Sequence, residues 1–336
     1  MTQTNITLSN TLNGLTRRLL LIAAAFACTL CQNVAAQDYP TKPIRLVVPY
    51  AVGGGVDIVA RTLADYISSK LGKTIIVENR TGAGGNVGSG LVAKAEPDGY
   101  LLLLGSNSNA VNNSLYSNMT YDASKDLLPI TLIGKVPMVL LVSPSISVKT
   151  VADMIALAKA KPGTLNFGSG GSGTSEHLTY EMFKRQADID AQHISYRGGA
   201  TVYTDLLGGQ IQFMFNNLLG ASSYIRSGQL QAIGISGNTR STLFPDLKTF
   251  AEQGLPKFTA QAWWGIMGPA GLQKGTVDKI SQLFDTAIKS PELTTRLEAM
   301  GAQPQGGSPE SFARFFKDEV ATWSIIIRDN NIKLSE

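Results

Sequence analysis

VVPYAVGGGVDIVAR, residues 47–61, joins an apolar run to a helical one through three consecutive glycines. Ile44 to Val48 reads as a short buried parallel strand, and Pro49, which has no N–H to give to a ladder, ends it. Downstream, Val56, Val59, Leu63, Tyr66 and Ile67 follow helical spacing, so Gly53, Gly54 and Gly55 lie just ahead of a helix N-terminus. The first N–H groups of a helix lack intrahelical acceptors and carry partial positive charge, and glycine lets an anion come close to them. The plain alternative is a tight strand-to-helix turn. Asp57 falls in the first helical turn, where a carboxylate complements the dipole, so it reads as a capping residue as readily as a ligand contact.

At 336 residues, 43% hydrophobic and 16% charged, the chain is long enough for two globular lobes and does not have a disordered composition. Its start is different. Arg17 and Arg18 precede the apolar run Leu19 to Ala27, and Val34-Ala35-Ala36 offers a small-residue cleavage site before Gln37, so residues 1–36 read as an export signal. Gln32 and Asn33 end the run short of the ~20 apolar residues a membrane span needs. Thr16-Arg17-Arg18-Leu19 also suits a twin-arginine signal, so the export route stays open. Both cysteines, Cys28 and Cys31, lie in this leader, and Ala25 stands where a lipobox ahead of Cys28 needs leucine. The mature chain therefore has no disulfide, no thiolate nucleophile, no cysteine metal site and no lipid anchor. Losing two arginines and no acids takes the formal charge from +4 to +2. That is too small to indicate nucleic acid or a membrane surface as partner.

After Gln37, strand and helix alternate. Thr74 to Glu78 is a second strand, Asn86 to Ala95 a helix and Tyr100 to Leu104 a third strand, which implies βαβ units and an α/β fold with mainly parallel sheets flanked by helices. Ser106 to Tyr116, rich in Asn, reads as a polar loop at the C-terminal edge of that strand, where open α/β sheets bind ligands; Ser106, Asn107 and Asn109 are its candidates. Leu128 to Ser143 reads as two strands, the second of which, Met138 to Val142, crosses into another lobe. There the pattern repeats: helix Thr150 to Lys161, strand Leu165 to Phe167, and then GSGGSGTSEHL, residues 168–178, a second glycine-rich loop ahead of a helix. Ser169, Gly173, Thr174 and Ser175 make it a second anion-ready turn, although Thr174 and Ser175 suit an N-cap without any ligand. His193 to Tyr196 ends another strand, Arg197 with Gly198 and Gly199 precedes the next helix, Asn216 ends the strand after it, and Ala262 to Ile266 with Trp263 is the return crossing before a helical remainder.

The chemistry of catalysis is missing from this pattern. His177 and His193 have neither metal-ligand nor triad spacing. Phe167 and Thr174 occupy positions where G-x-S-x-G needs glycine, no lysine completes a P-loop, and Val87 breaks a dinucleotide fingerprint starting at Gly82. No cofactor and no metal are expected.

YPTKPIRLVVPYAVGGGVDIVAR, VENRTGAGGNVGSGLVAKAEPDGY, FGSGGSGTSEHL, YRGGA and WWGIMGPAG, in this order along the mature chain, resemble the Bug (TctC-like) solute-binding proteins of tripartite tricarboxylate transporters. Against that family's P-F-x-x-G-G-x-x-D loop, Pro49, Gly54, Gly55 and, after a one-residue shift, Asp57 match; Tyr50 stands for the aromatic and Gly53 is additional. The resemblance implies a two-lobe periplasmic binding fold of type II, joined by two crossings, with residues 37–142 and 263–336 as one lobe and 143–262 as the other. It implies a carboxylate held between the lobes, inner-membrane transporter subunits as partners and a monomer in the periplasm. Tyr50, Tyr196, Phe215 and Trp263 or Trp264 at strand ends would favour aromatic or longer-chain carboxylates over compact hydroxylated acids. The competing expectations are an exported α/β hydrolase and a ligand sensor for a membrane receptor. With no cysteine after Gln37, the melting temperature of the mature protein should be the same with and without dithiothreitol, and a fall in reductant would contradict the cleavage reading.

Overall fold

Residues 39–196, 199–329 and 332 are described in the computed structural model. The leader, both cysteines and Arg197 lie outside them. The chain divides into a leading segment, Met1–Thr41, and a body, Lys42–Glu336, which carries every element named below.

The body opens with β1 (Ile44–Val48), α1 (Gly55–Leu71), β2 (Ile75–Asn79), α2 (Asn86–Ala93) and β3 (Leu101–Ser106), with β1 parallel to both β2 and β3. Next come α3 (Asn107–Leu115), the short α4 (Ala123–Asp126) and the long β4 (Leu127–Val142). The middle of the chain supplies α5 (Val151–Ala160), β5 (Asn166–Ser169), α6 (Ser175–Ala187), β6 (Gln192–Ser195), α7 (Gly199–Leu207) and β7 (Phe213–Asn217). After α8 (Leu218–Arg226) and β8 (Gln231–Ile235) the chain returns along β9 (Gln261–Pro269) and closes with α9 (Lys274–Ile288), α10 (Pro291–Glu298), β10 (Gln303–Pro304) and α11 (Pro309–Asp329). The strand order is β2-β1-β3-β9-β4-β7-β5-β6, with β8 and β10 also on β4.

β4 is one strand where the sequence suggests two. Pro129 and Gly134 do not break it because the register shifts between Pro129 and Thr131 and again between Leu132 and Gly134, and Pro137 is the last residue of the ladder with β9. From Leu127 to Pro137 its partner is β9, and from Met138 to Val142 its partners are β7 and β8. The sheet thus has two halves, and β4 belongs to both.

Residues 107–115 are helical and not a loop, despite an Asn-rich sequence of low helix propensity. Their amides are satisfied by the fold instead. Asn109 Oδ1 accepts from the Ser106 N–H at 2.9 Å, the returning half of a capping box, while Asn109 Nδ2 donates to Ser89 Oγ at 2.8 Å. Asn107 spans to β9: its Nδ2 donates to the Gln261 carbonyl at 3.1 Å and its Oδ1 accepts from the Trp263 N–H at 3.0 Å. Asn107 is buried, so removing its amide leaves two backbone groups of β9 unpaired away from water. Asn107→Ala should lower the unfolding free energy by about 1–3 kcal/mol in urea titrations, and an unchanged midpoint would show that β9 is held by other means.

Candidate functional site

A cavity of about 760 Å³ lies where the loops that follow β1, β3, β5 and β7 converge with β9. Each of those strands runs into a helix, so four helix N-termini face one space: α1 through Gly53–Val56, α3 through Ser106 and Asn107, α6 through Thr174–Glu176, and α8 through Asn217 and Gly220.

The β1–α1 turn is fixed from inside. Gly53 adopts φ +82°, a left-handed conformation costly for any side chain, and its N–H donates to Asp57 Oδ2 at 2.9 Å. Arg61 Nε donates to the same oxygen at 3.0 Å and Asn79 Nδ2 to the other at 2.9 Å. Burial alone would raise the Asp57 carboxyl, but Arg61, Gly53 and Asn79 outweigh it and hold the group below the usual carboxylate range. Asp57 is therefore a brace for the turn and does not line the cavity. Gly54, the N-cap of α1, has no side chain to cap with, so the first N–H groups of the helix open toward the cavity. A Cβ on Gly55 would lie 2.6 Å from Asn217 Oδ1, so the absent side chain lets the two halves of the sheet approach.

Tyr50 lines the wall, its hydroxyl 2.8 Å from Ser106 Oγ and also bonded to Ser108. Burial pushes the phenol up to about 12, against the pull of the two serines, so it is a neutral hydrogen-bonding group. Asn216 Nδ2 donates to Tyr203 Oη at 2.8 Å, and the Tyr203 ring stacks on Tyr224 with centroids 4.1 Å apart and planes 10° from parallel. Asn217 Oδ1 accepts from the Gly220 N–H at 2.8 Å and so caps α8.

Of the sequence candidates, Tyr50, Gly54, Gly55, Ser106, Asn107, Thr174, Ser175, Asn216 and Trp263 line this cavity. Asp57, Asn109, Ser169 and Gly173 do not. Tyr196 lines a neighbouring cavity of about 520 Å³ and donates to Asp205 Oδ2 at 2.6 Å. Arg197 lies outside the described residues. The Trp263 ring packs edge-on against Phe312, Phe315 and Phe316 of α11, and its Nε1 donates to Glu319 at 2.9 Å, while Phe215 sits in a buried cluster with Phe183, Phe250 and Phe258. Neither ring is part of an aromatic slot. Successive strand residues face opposite sides, which turns Trp264 away from α11. Sequence reading missed Glu176, Tyr203, Asn217, Tyr224 and the whole of α8. Asn217 ahead of Leu218 and Leu219 was the available signal, an N-cap before an apolar run.

Ser169 Oγ lies 2.6 Å from His193 Nε2, the distance of a nucleophile and its base, but Ser169 is wholly buried and its hydroxyl also accepts from the Gly171 N–H at 3.2 Å. His193 stacks on His177 with centroids 4.4 Å apart, and His177 Nδ1 accepts from the Gly173 N–H at 3.2 Å. This group shapes the second glycine-rich loop from beneath. Among the described residues no cluster of acidic, His or Cys side chains could hold a metal, and no helix is long and apolar enough to cross a membrane.

The family model described as the tripartite tricarboxylate transporter family receptor, TctC, matches residues 59–332. The chain belongs to that family. It is 35% identical over 321 residues to the protein BugT of Bordetella pertussis, covering 94% of this chain and 98% of that one. The solved periplasmic binding protein BugD superposes with a TM-score of 0.83 at 31% identity, over 88% of this chain and 99% of that one. An R. palustris protein, Rpa4515, solved with adipate, gives 0.85 at 30% identity over 88% and 99%. The fold of this TctC receptor is the two-lobe periplasmic binding fold, and its family is one of solute-binding proteins, not enzymes.

Burial lowers the His177 imidazole to about 4, and burial together with the charge of His177 lowers His193 to about 3. Both pKa values lie below the unfolded value near 6.5, so between that pH and about 4 the unfolded chain takes up protons the folded one refuses, and stability is lost as pH falls. Glu181, whose carboxyl burial raises, acts with the opposite sign, so the difference between variant and wild type is the informative quantity. In His177→Gln the loss of unfolding free energy between about pH 7 and pH 5 should be smaller than in wild type by on the order of 1–2 kcal/mol. Parallel curves would mean that His177 is protonated in the native protein.

Proposed function

We propose that this TctC receptor is exported, loses its leader between Ala36 and Gln37, and as a monomer captures a small carboxylate between its lobes for delivery to a tripartite tricarboxylate-type transporter in the inner membrane. Mono- and dicarboxylates, aromatic ones included, fall within the class; the adipate bound to Rpa4515 supports it. The proposed lobes are residues 37–142 with 263–336, and 143–262; β4 changes partners at Pro137–Met138, which supports a first crossing that begins there and runs through Val142.

One observation carries this reading. Of the four helix N-termini at the cavity, α3 and α8 are closed by their own Asn109 and Asn217, whereas α1 begins at a bare Gly54. Backbone N–H groups and a positive helix end are then left facing a space lined by neutral hydroxyls and amides, which is an anion site. Tyr203 and Tyr224, stacked on each other, line the same space and bring aromatic surface to the ligand body.

Gly54 has φ −75° and ψ 164°, which any residue adopts, and the nearest atom to an added Cβ is the Ala51 carbonyl oxygen at 3.5 Å. Gly54→Asp therefore fits and supplies a carboxylate of its own to α1. Calorimetry against a carboxylate panel, with mass analysis of the recovered ligand, should show binding without conversion by the wild type. Gly54→Asp should melt at or above the wild-type temperature yet bind at least roughly tenfold more weakly, about 1.4 kcal/mol. Wild-type affinity in that variant would place the carboxylate elsewhere, and a converted ligand would remove the reading.

A further inference from the structure

Glu176 is the one carboxylate among the described residues lining the cavity, and Arg226 the one cation. It occupies the first turn of α6, whose N-cap Thr174 gives no side-chain cap, its hydroxyl being turned to the Gly171 carbonyl, to which it donates at 2.7 Å. Both helices carry an acid in their first turn, but Glu176 of α6 lines the cavity, whereas Asp57 of α1 is turned to the buried side and does not. Two anion-ready helix ends on facing walls suit a dicarboxylate. One bare end and one that bears a carboxylate suit a ligand whose two ends differ.

The surroundings of Glu176 fit the complementary group. Tyr50 and Tyr203 line the same cavity, with Tyr203 stacked on Tyr224, so aromatic side chains and a carboxylate border one space. Carboxylates and aromatic faces together are what attract an ammonium group. Burial pushes the Glu176 carboxyl up, and its own backbone N–H with the Thr174 and Ser175 hydroxyls only partly offset this. An incoming ammonium restores the ionised state. A second ligand carboxylate meets a like charge or must bring a proton.

Resting on the carboxylate site at α1, we propose that Glu176 with Tyr203 forms an ammonium subsite, and that the preferred ligands of this receptor are amino carboxylates whose amine lies away from the carboxyl. This separates it in specificity from Rpa4515, the relative solved with adipate. Arg226 stays outside the subsite: it is exposed, bonded through its NH2 group to the Ala299 carbonyl at 3.4 Å, with its guanidinium 5.8 Å from the Phe244 ring centroid.

The test uses adipate, 6-aminohexanoate and hexanoate, chains of one length that end in a carboxylate, an ammonium and a methyl group. Titrations of the mature protein are run at about pH 8, where a raised carboxyl is still largely ionised once an ammonium pairs with it. Wild type should bind 6-aminohexanoate at least roughly tenfold more tightly than adipate. Glu176→Gln keeps the shape and should erase or invert that ratio, leave hexanoate affinity within about twofold, and melt close to wild type. Binding of hexanoate together with a preference for adipate, or a ratio unchanged in Glu176→Gln, overturns the subsite and spares the α1 site. If none of the three chains binds and the wider carboxylate panel also fails, the α1 reading is lost and the subsite with it. Should Glu176→Gln unfold, Glu176→Ser must give the same reversal of preference for the proposal to stand.

Discussion

The pairing of β4 with β9 is the constraint on which everything else in this protein depends. It runs from Leu127 opposite Pro269 to Pro137 opposite Gln261, and at its end the chain passes from one half of the sheet to the other. A single hydroxyl fastens that passage. The Met138 N–H donates to Ser236 Oγ at 2.7 Å, the Ser236 N–H donates to the Met138 carbonyl at 2.8 Å, and the Ser236 hydroxyl in turn donates to the Ala260 carbonyl. Both segments that cross are thereby tied at one buried point, since Ser236 is almost wholly shielded from water. Unpaired backbone groups at such a point would be costly, and a serine satisfies them without adding bulk. The ladder also sets the position of α3, because Asn107 reads the backbone of β9 directly.

From that frame the chemistry of the cavity follows with little help from charged side chains. Strand ends that converge bring helix starts together, and helix starts supply N–H groups and partial positive charge at no cost in mobile side chains. The protein then distinguishes these starts by what stands at their cavity face: an Asn at α3, an Asn at α8, a carboxylate near α6 and no side-chain cap at α1. Asp57 shows why the last of these can remain open. Its carboxylate complements α1 from the buried side, held by Gly53, Arg61 and Asn79, so the helix is served from within while its cavity face stays free.

Sequence reading recovers the alternation of strands and helices because the apolar periodicity is strong and because Pro49 marks a boundary by its covalent structure. It fails where tertiary contacts override local preference. The Asn-rich stretch 107–115 reads as a loop, since asparagine prefers turns; only the partners Ser89, Gln261 and Trp263, distant in sequence, make it helical. The same is true of the cavity walls. Gly54, Thr174 and Ser175 stand out because glycine-rich turns before helices have a local signature, whereas Tyr203 and Glu176 read as ordinary helix residues until α6 and α7 are seen to face one space. Trp263 misled in the other direction. An aromatic at a strand end carries no sign of which face it takes, and its partners Phe312 and Phe316 come from the last helix.

A binding protein must also let go, and the contacts between the two halves bear on how. Near the cavity they meet where Gly55 faces Asn217, and beside it where the Tyr116 hydroxyl donates to the Ser172 carbonyl at 3.2 Å. These contacts are polar and small, of a kind that water replaces at little net cost. Apolar contacts add to them, since Leu178 and Met182 of α6 pack into the cluster of Val111, Trp263 and Phe312, so the protein itself contributes to the balance between open and closed forms and the ligand adds to it. A ligand shifts that balance only by the difference in its affinity for the two forms. Groups on opposite halves that touch the ligand together supply that difference, and α1 and α6 lie on opposite halves. A molecule that satisfies the bare end of α1 but not the wall of α6 binds one lobe and leaves the equilibrium where it was. Under the proposed function, specificity is then a matter of which ligands engage both halves at once, and the residue that decides it need not be the one that holds the carboxylate.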